Sequence, residues 1–210
     1  MPIFKRSHDI SELTGYINQN KHLFRAMEGS ADADELRHLT SWARHAVLIG
    51  EIGFNAGFSS YAFLSSNRRC SVVSFDIGDH EYVKFAKQFI DDTFPGRHQL
   101  IVGDSRQTVP DFALQNPKIK FDFIFIDGGH EHDVVKLDIE HMKSLAHKKT
   151  IVAIDDLTPW LPWGQGPATA WMEAQETRLI LQDELIKDGR PVDQIEPPGE
   201  RVYARAHYLL

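Results

Sequence analysis

The acids Asp127, Asp155 and Asp156, with His130 close behind the first, are the residues of this chain best placed to do chemistry. Phe121-Asp122-Phe123-Ile124-Phe125-Ile126 reads as a buried strand that runs straight into Asp127-Gly128-Gly129-His130. About one strand–helix unit later, Thr150-Ile151-Val152-Ala153-Ile154 is a second such strand, ending in Asp155-Asp156. Open parallel sheets bind ligands in the crevice outside the carboxyl ends of their strands. Two neighbouring strands would therefore deliver all three acids to one edge. Converging carboxylates repel one another unless a cation lies between them, and hard oxygen donors suit Mg²⁺ or Mn²⁺. Taken singly, each acid could instead cap the helix that follows it.

The elements that must position these acids alternate along the chain. Strands are expected at Val47–Ile52, Ser71–Phe75, Gln99–Val102, Phe121–Ile126 and Thr150–Ile154. Helices are expected at Ala33–Ala46, from Ser59 to Ser65, and over Glu81–Asp92, Arg106–Leu114, Val134–Ala146 and Ala168–Asp188, with a further short helix near Ser11-Glu12-Leu13-Thr14. Apolar strands separated by helices imply a parallel sheet covered on both faces. Arg201–Leu210 is strand-like with no helix after it, so it is expected to pair antiparallel at or near an edge. The fold class is therefore α/β.

Three other strand ends carry possible ligand groups. Glu51-Ile52-Gly53-Phe54-Asn55-Ala56-Gly57-Phe58-Ser59 follows the first strand; Gly53 permits a tight turn and Gly57 a close helix–strand approach, leaving helix-start amides to face an anionic group. Asp76 ends the second strand about 20 residues on, where nucleoside-binding folds place a ribose-binding acid; it could equally cap a turn. Gly103-Asp104-Ser105 follows the third strand and could cap the next helix or meet a base edge.

The series Glu-x-Gly-x-x-x-Gly, Asp76, Gly-Asp-Ser and Phe-Ile-Asp-Gly-Gly-His resembles the class I S-adenosylmethionine-dependent methyltransferases over roughly residues 47–172. Within that class, Asp127, His130 and Asp155-Asp156 are similar to the small metal-dependent O-methyltransferases of the catechol and caffeoyl-CoA type. A histidine at 130, where those enzymes carry lysine, is closer to bacterial sugar and macrolide-sugar O-methyltransferases and the cephalosporin-hydroxylase-like group. The resemblance implies a Rossmann-like, doubly wound, mostly parallel seven-stranded sheet with an antiparallel C-terminal strand. It implies one domain over 1–210, with 1–46 a helical cap, 47–156 the cofactor and metal core and 157–167 a lid loop. Glu51, Gly53, Asn55, Gly57 and Ser59 would line the methionine end of S-adenosylmethionine, Asp76 would take the ribose hydroxyls, and Asp104 and Ser105 would flank the adenine. Asp127 would border the cofactor and, with Asp155 and Asp156, hold Mg²⁺ or Mn²⁺; His130 would be the base. An aspartate at 156, where catechol-type enzymes have asparagine, adds negative charge to that set.

The implied reaction is methyl transfer to a hydroxyl of a small molecule or sugar. An aminopropyl transferase or nicotinamide-dependent oxidoreductase is disfavoured by the metal acids and because the chain has Gly53 and Gly57 but not the third glycine of a dinucleotide fingerprint. A non-catalytic binding module is disfavoured by the intact acid–histidine set. The net charge of -7 argues against nucleic acid as the principal partner. The single Cys70 fits a reducing cytoplasm and a structural thiol, and no apolar run approaches the ~18 residues of a membrane span. Homo-oligomerisation stays open. Trp160 and Trp163, in the Pro- and Gly-rich 157–167 segment, could stack on a sugar or ring or pack on the core; Trp171 is expected in the core.

Overall fold

The computed structural model describes residues 10–23 and 32–210. In chain order the elements are α1 (Ile10–Asn20), α2 (Ala33–Trp42), β1 (Leu48–Ile52), α3 (Phe58–Ser66), β2 (Ser71–Asp76), α4 (Glu81–Thr93), β3 (His98–Val102) and α5 (Ser105–Gln115). There follow β4 (Phe121–Ile126), α6 (His132–Lys143), β5 (Ala146–Ile154), α7 (Gln165–Glu176), β6 (Ile180–Lys187), β7 (Arg190–Pro191) and β8 (Val202–Tyr208). Part of the expected N-terminal cap, including Phe4 and Phe24, lies outside the described residues.

One sheet of eight strands has the order β3-β2-β1-β4-β5-β8-β6-β7. The first five pair parallel, and β8 runs antiparallel to both β5 and β6. Alternate strand residues serve two separate cores. Ile49, Val72, Phe123 and Phe125 pack with Leu13, Leu39, Tyr61 and Ile90 of α1–α4. Val73, Ile124 and Val152 pack with Val109, Ile139 and Trp171 of α5–α7. A sheet buried on both faces needs the nearly continuous apolar strands seen in the sequence.

Strand order reverses between β1 and β4, the point where such sheets open a ligand crevice. Backbone bonds align the strand ends there: Gly53 N–H donates to Phe75 O, Asp127 N–H to Ile52 O, Gly103 N–H to Asp76 O and Asp155 N–H to Ile126 O.

The C-terminal third differs from expectation. The helix expected over 168–188 ends at Glu176, Arg178 adopts a positive φ of 57°, and residues 180–187 form β6. A register shift between Gln182 and Glu184 breaks the period-two alternation that marks a strand, which hid β6 in the sequence. With β6 present, β8 lies inside the sheet, between β5 and β6, instead of at its edge. The two-residue β7 brings the strand count from the expected seven to eight. Among the described residues no helix is long and apolar enough to cross a membrane.

Candidate active site

A cavity of about 440 Å³ opens at the switch point, within the usual size range of small-ligand sites. One half is formed by the turn after β1, the end of β2 and the turn after β3. Gly53 has φ 91°, and a Cβ there would sit 1.8 Å from the carbonyl oxygen of Asp127, so only glycine fits between β1 and β4. Asp76 organises the turn: its Oδ2 accepts from the amides of Phe54 (2.9 Å) and Asn55 (2.8 Å), and its Oδ1 from that of Gly78 (2.7 Å). A carboxylate has about four acceptor sites, so Asp76 retains capacity for a ligand hydroxyl. Gly53, Asn55, Ser59, Asp76, Asp104 and Ser105 all border the cavity. Asp104 caps α5, grips Arg106 Nε at 2.9 Å and borders the cavity.

Glu51 and Gly57 do not border the cavity. Gly57 is the α3 N-cap in left-handed conformation. Glu51 is fully buried beneath the turn and accepts the hydroxyls of Ser59 (2.5 Å), Ser60 (2.6 Å) and Ser74 (2.5 Å). Burial pushes its carboxyl up to about 6 against the opposing pull of these three bonds. His98 Nε2 lies 2.9 Å from Ser74 Oγ, and burial lowers the imidazole to about 3, so it is neutral. Because the Ser74 proton points at Glu51, Nε2 carries the imidazole proton and donates it to Ser74 Oγ.

The other half of the cavity is acidic. Asp127 and Asp155 stand side by side at the ends of β4 and β5, and a carboxylate oxygen of each lies within 4.8 Å of one from Glu35 in α2. Asp155 is pushed up to about 7 by burial and by the charge of Asp156. Asp127 and Glu35 are raised well above the usual carboxylate range, in each case by burial and then by Asp155. Arg201 from β8 reaches the group, its Nη1 3.7 Å from Glu35 and 3.6 Å from Asp155.

Asp156, next in sequence, lies outside that trio and faces His130. It has φ 62°, in the left-handed region that aspartate enters more readily than most residues. Its Oδ2 lies 3.0 Å from His130 Nε2. That hydrogen bond, ahead of the opposing effect of burial, raises the imidazole above its ordinary 6.5. The 130–132 segment is held by α7, where a Cβ at Gly166 would meet His130 O at 2.1 Å.

The site therefore unites Asp127, His130, Asp155 and Asp156 with the glycine turn, and adds Glu35 and Arg201. In the sequence Glu35 looks like an ordinary first-turn helix acid, and Arg201 opens a segment without a recognisable motif. Trp160 donates Nε1–H to Gly199 O and packs on the core, Trp163 stays 46% exposed, and Trp171 is fully buried.

The sheet is of the doubly wound α/β type, with its cavity at the switch point. Residues 51–157 match a family model described as a methyltransferase domain, and the chain belongs to that family. Among solved structures it is similar to an O-methyltransferase from Bacillus cereus in complex with S-adenosylhomocysteine, at TM-score 0.73 and 16% identity, covering 98% of this chain and 93% of that one. It is similar also to S-adenosylhomocysteine-bound methyltransferase PaMTH1 of Podospora anserina (TM-score 0.69, 17% identity, 96% and 88% covered). A third likeness is to CalS11, a TDP-rhamnose 3'-O-methyltransferase in calicheamicin biosynthesis (TM-score 0.63, 21% identity, 93% and 90% covered). At these identities the likeness is one of fold. No curated protein matches the chain.

Proposed function

We propose that the protein transfers a methyl group from S-adenosylmethionine to a hydroxyl of a small molecule or sugar, assisted by a divalent cation, Mg²⁺ or Mn²⁺. The observation that carries this reading is the meeting, in one cavity, of the Gly53–Asp76–Ser105 half with the Asp127–Asp155–Asp156–His130 half.

In the first half, Asp76 receives the ribose hydroxyls, Asp104 and Ser105 border the adenine, and Ser59 and Asn55 lie towards the methionine end. In the second, Asp127 and Asp155 hold the cation, with Asp156 adding its field from alongside. The fit is chemical: these are hard oxygen donors, Asp155 is buried and Asp127 half-buried, and Asp155 Oδ1 has no hydrogen-bond partner, a costly state that a cation would relieve. Such a cation, when bound, lowers the pKa of an acceptor hydroxyl.

Asp156 and His130 form a dyad. Asp156 accepts from Nε2–H, which leaves Nδ1 as the atom that takes the acceptor's proton; the charge then developing on the ring is balanced by Asp156. Alignment of the two reactants in one cavity supplies much of the rate. Trp163 is the exposed aromatic that could stack on a ring or sugar acceptor.

The test is methyl transfer from labelled S-adenosylmethionine to nucleotide sugars, polyketide glycosides and catechols, with Mg²⁺ and with EDTA. Metal-dependent labelling of one of these acceptor classes is expected. Undiminished labelling in EDTA would remove the cation from the reaction, and failure of S-adenosylhomocysteine to bind would remove the cofactor.

A further inference from the structure

Glu35 has no reason, as a helix residue, to be where it is. Asp32 is the N-cap of α2, its Oδ1 accepting from the amides of Asp34 (2.7 Å) and Glu35 (2.8 Å). Glu35 is then the third residue of the helix, and a glutamate there ordinarily reaches back to the cap's own amide at the surface. Instead its side chain is fully buried, and neither carboxylate oxygen has a hydrogen-bond partner. Buried polar atoms are nearly always satisfied, and an orphaned carboxylate is among the costliest exceptions.

What the side chain faces is the edge of the sheet. One oxygen each of Glu35, Asp127 and Asp155 lie within 4.8 Å of one another. Around a Mg²⁺ or Mn²⁺ ion at ~2.1 Å, adjacent ligand oxygens stand about 3 Å apart and opposite ones about 4.2 Å, so side-chain shifts of under ~1 Å would close the trio on an ion. Arg201, poised between Glu35 and Asp155, brings one positive charge to three acids. Asp156 lies outside the trio, with its Oδ2 at His130.

From this geometry we propose that Glu35 is a direct ligand of the divalent cation, completing with Asp127 and Asp155 a three-carboxylate site, while Asp156 serves His130. This rests on the cation reading above and goes further: the third ligand comes from a helix outside the sheet. Metal loading then fastens α2 over the cavity, and the N-terminal region becomes part of the metal centre instead of a passive cover.

The experiment is direct Mn²⁺ binding to the full-length protein stripped with EDTA, read by electron paramagnetic resonance of free Mn²⁺ and by calorimetry, without cofactor or acceptor. Glu35→Gln should weaken Mn²⁺ at least 10-fold and Asp156→Asn less than 3-fold. Glu35→Asp, which keeps the charge but withdraws the carboxylate by one methylene, should also weaken binding. The metal-free Tm of Glu35→Gln should equal or exceed that of the native protein, since a buried acid facing Asp127 and Asp155 is removed. Native-like Mn²⁺ affinity in Glu35→Gln would overturn the ligand role while leaving the cation reading intact. No Mn²⁺ binding by the native protein would overturn both. Weak binding accompanied by lost helical circular dichroism would overturn the ligand role in favour of a structural one.

Discussion

Replacing Glu51 by glutamine tests whether the acid that opens the glycine turn is framework or cofactor contact. Its carboxyl is fully buried, takes three serine hydroxyls and has a folded-state pKa of about 6 against an ordinary 4.5. A raised carboxylate stabilises the fold while protonated, so the contribution is fully present below 4.5 and is lost as pH rises through 6. The whole effect is roughly 2 kcal/mol, of which about 1.3 kcal/mol disappears between pH 5 and pH 8. Glu51→Gln lacks this dependence, whereas other groups titrate in both proteins. The assay is thermal unfolding of both from pH 5 to pH 8. The native protein should lose about 3–5 °C relative to the variant across that range. A constant difference would refute the reasoning, because Glu51 would then not sit in a dry network; a difference of opposite sign would mean a charge-stabilised carboxylate. S-adenosylhomocysteine affinity should change less than about 3-fold, as Glu51 does not border the cavity.

Asp76→Ala should weaken S-adenosylhomocysteine by about 1–3 kcal/mol in calorimetry, through loss of the ribose acceptor and of the order it imposes on the amides of Phe54, Asn55 and Gly78; unchanged affinity would remove it from the site. His130→Ala should lower kcat by about 10²–10⁴-fold with Mn²⁺ and cofactor affinities little changed. The native rate should fall on acidification with a midpoint above 6.5, because Asp156 raises the imidazole, and Asp156→Asn should move that midpoint down; an unmoved midpoint would break the dyad. Trp163→Ala should raise KM for a ring or sugar acceptor about 10-fold with kcat nearly constant, the loss of a stacking platform; an unchanged KM would leave Trp163 outside acceptor binding.

Much of this arrangement was legible because strand ends in a parallel sheet are written locally. An apolar run ending in Asp127-Gly128-Gly129-His130, or in Asp155-Asp156, declares both its strand and the edge to which it delivers acids. Gly53 was readable for the same reason, although its backbone contact with Asp127 was not. What escaped depends on contacts distant in sequence. Glu35 carries every local sign of a surface helix acid, and only the docking of α2 buries it against Asp127 and Asp155. The left-handed turn at Asp156 and its pairing with His130 are likewise not written in the local sequence. The β6 strand was lost to its register shift, and the interior placement of β8 was lost with it. Glu51 was assigned to the cofactor by its place in the motif, yet its side chain points beneath the turn into the serine network.

The most direct test of the account is a crystal structure of the complex with S-adenosylhomocysteine and Mn²⁺, the ion located by its anomalous signal. The account predicts the nucleoside between the Gly53–Asn55 turn and Gly103–Ser105, with its ribose on Asp76, and a single Mn²⁺ on Asp127 and Asp155 beside His130. A nucleoside bound elsewhere, or no anomalous peak among these acids at saturating Mn²⁺, would contradict it.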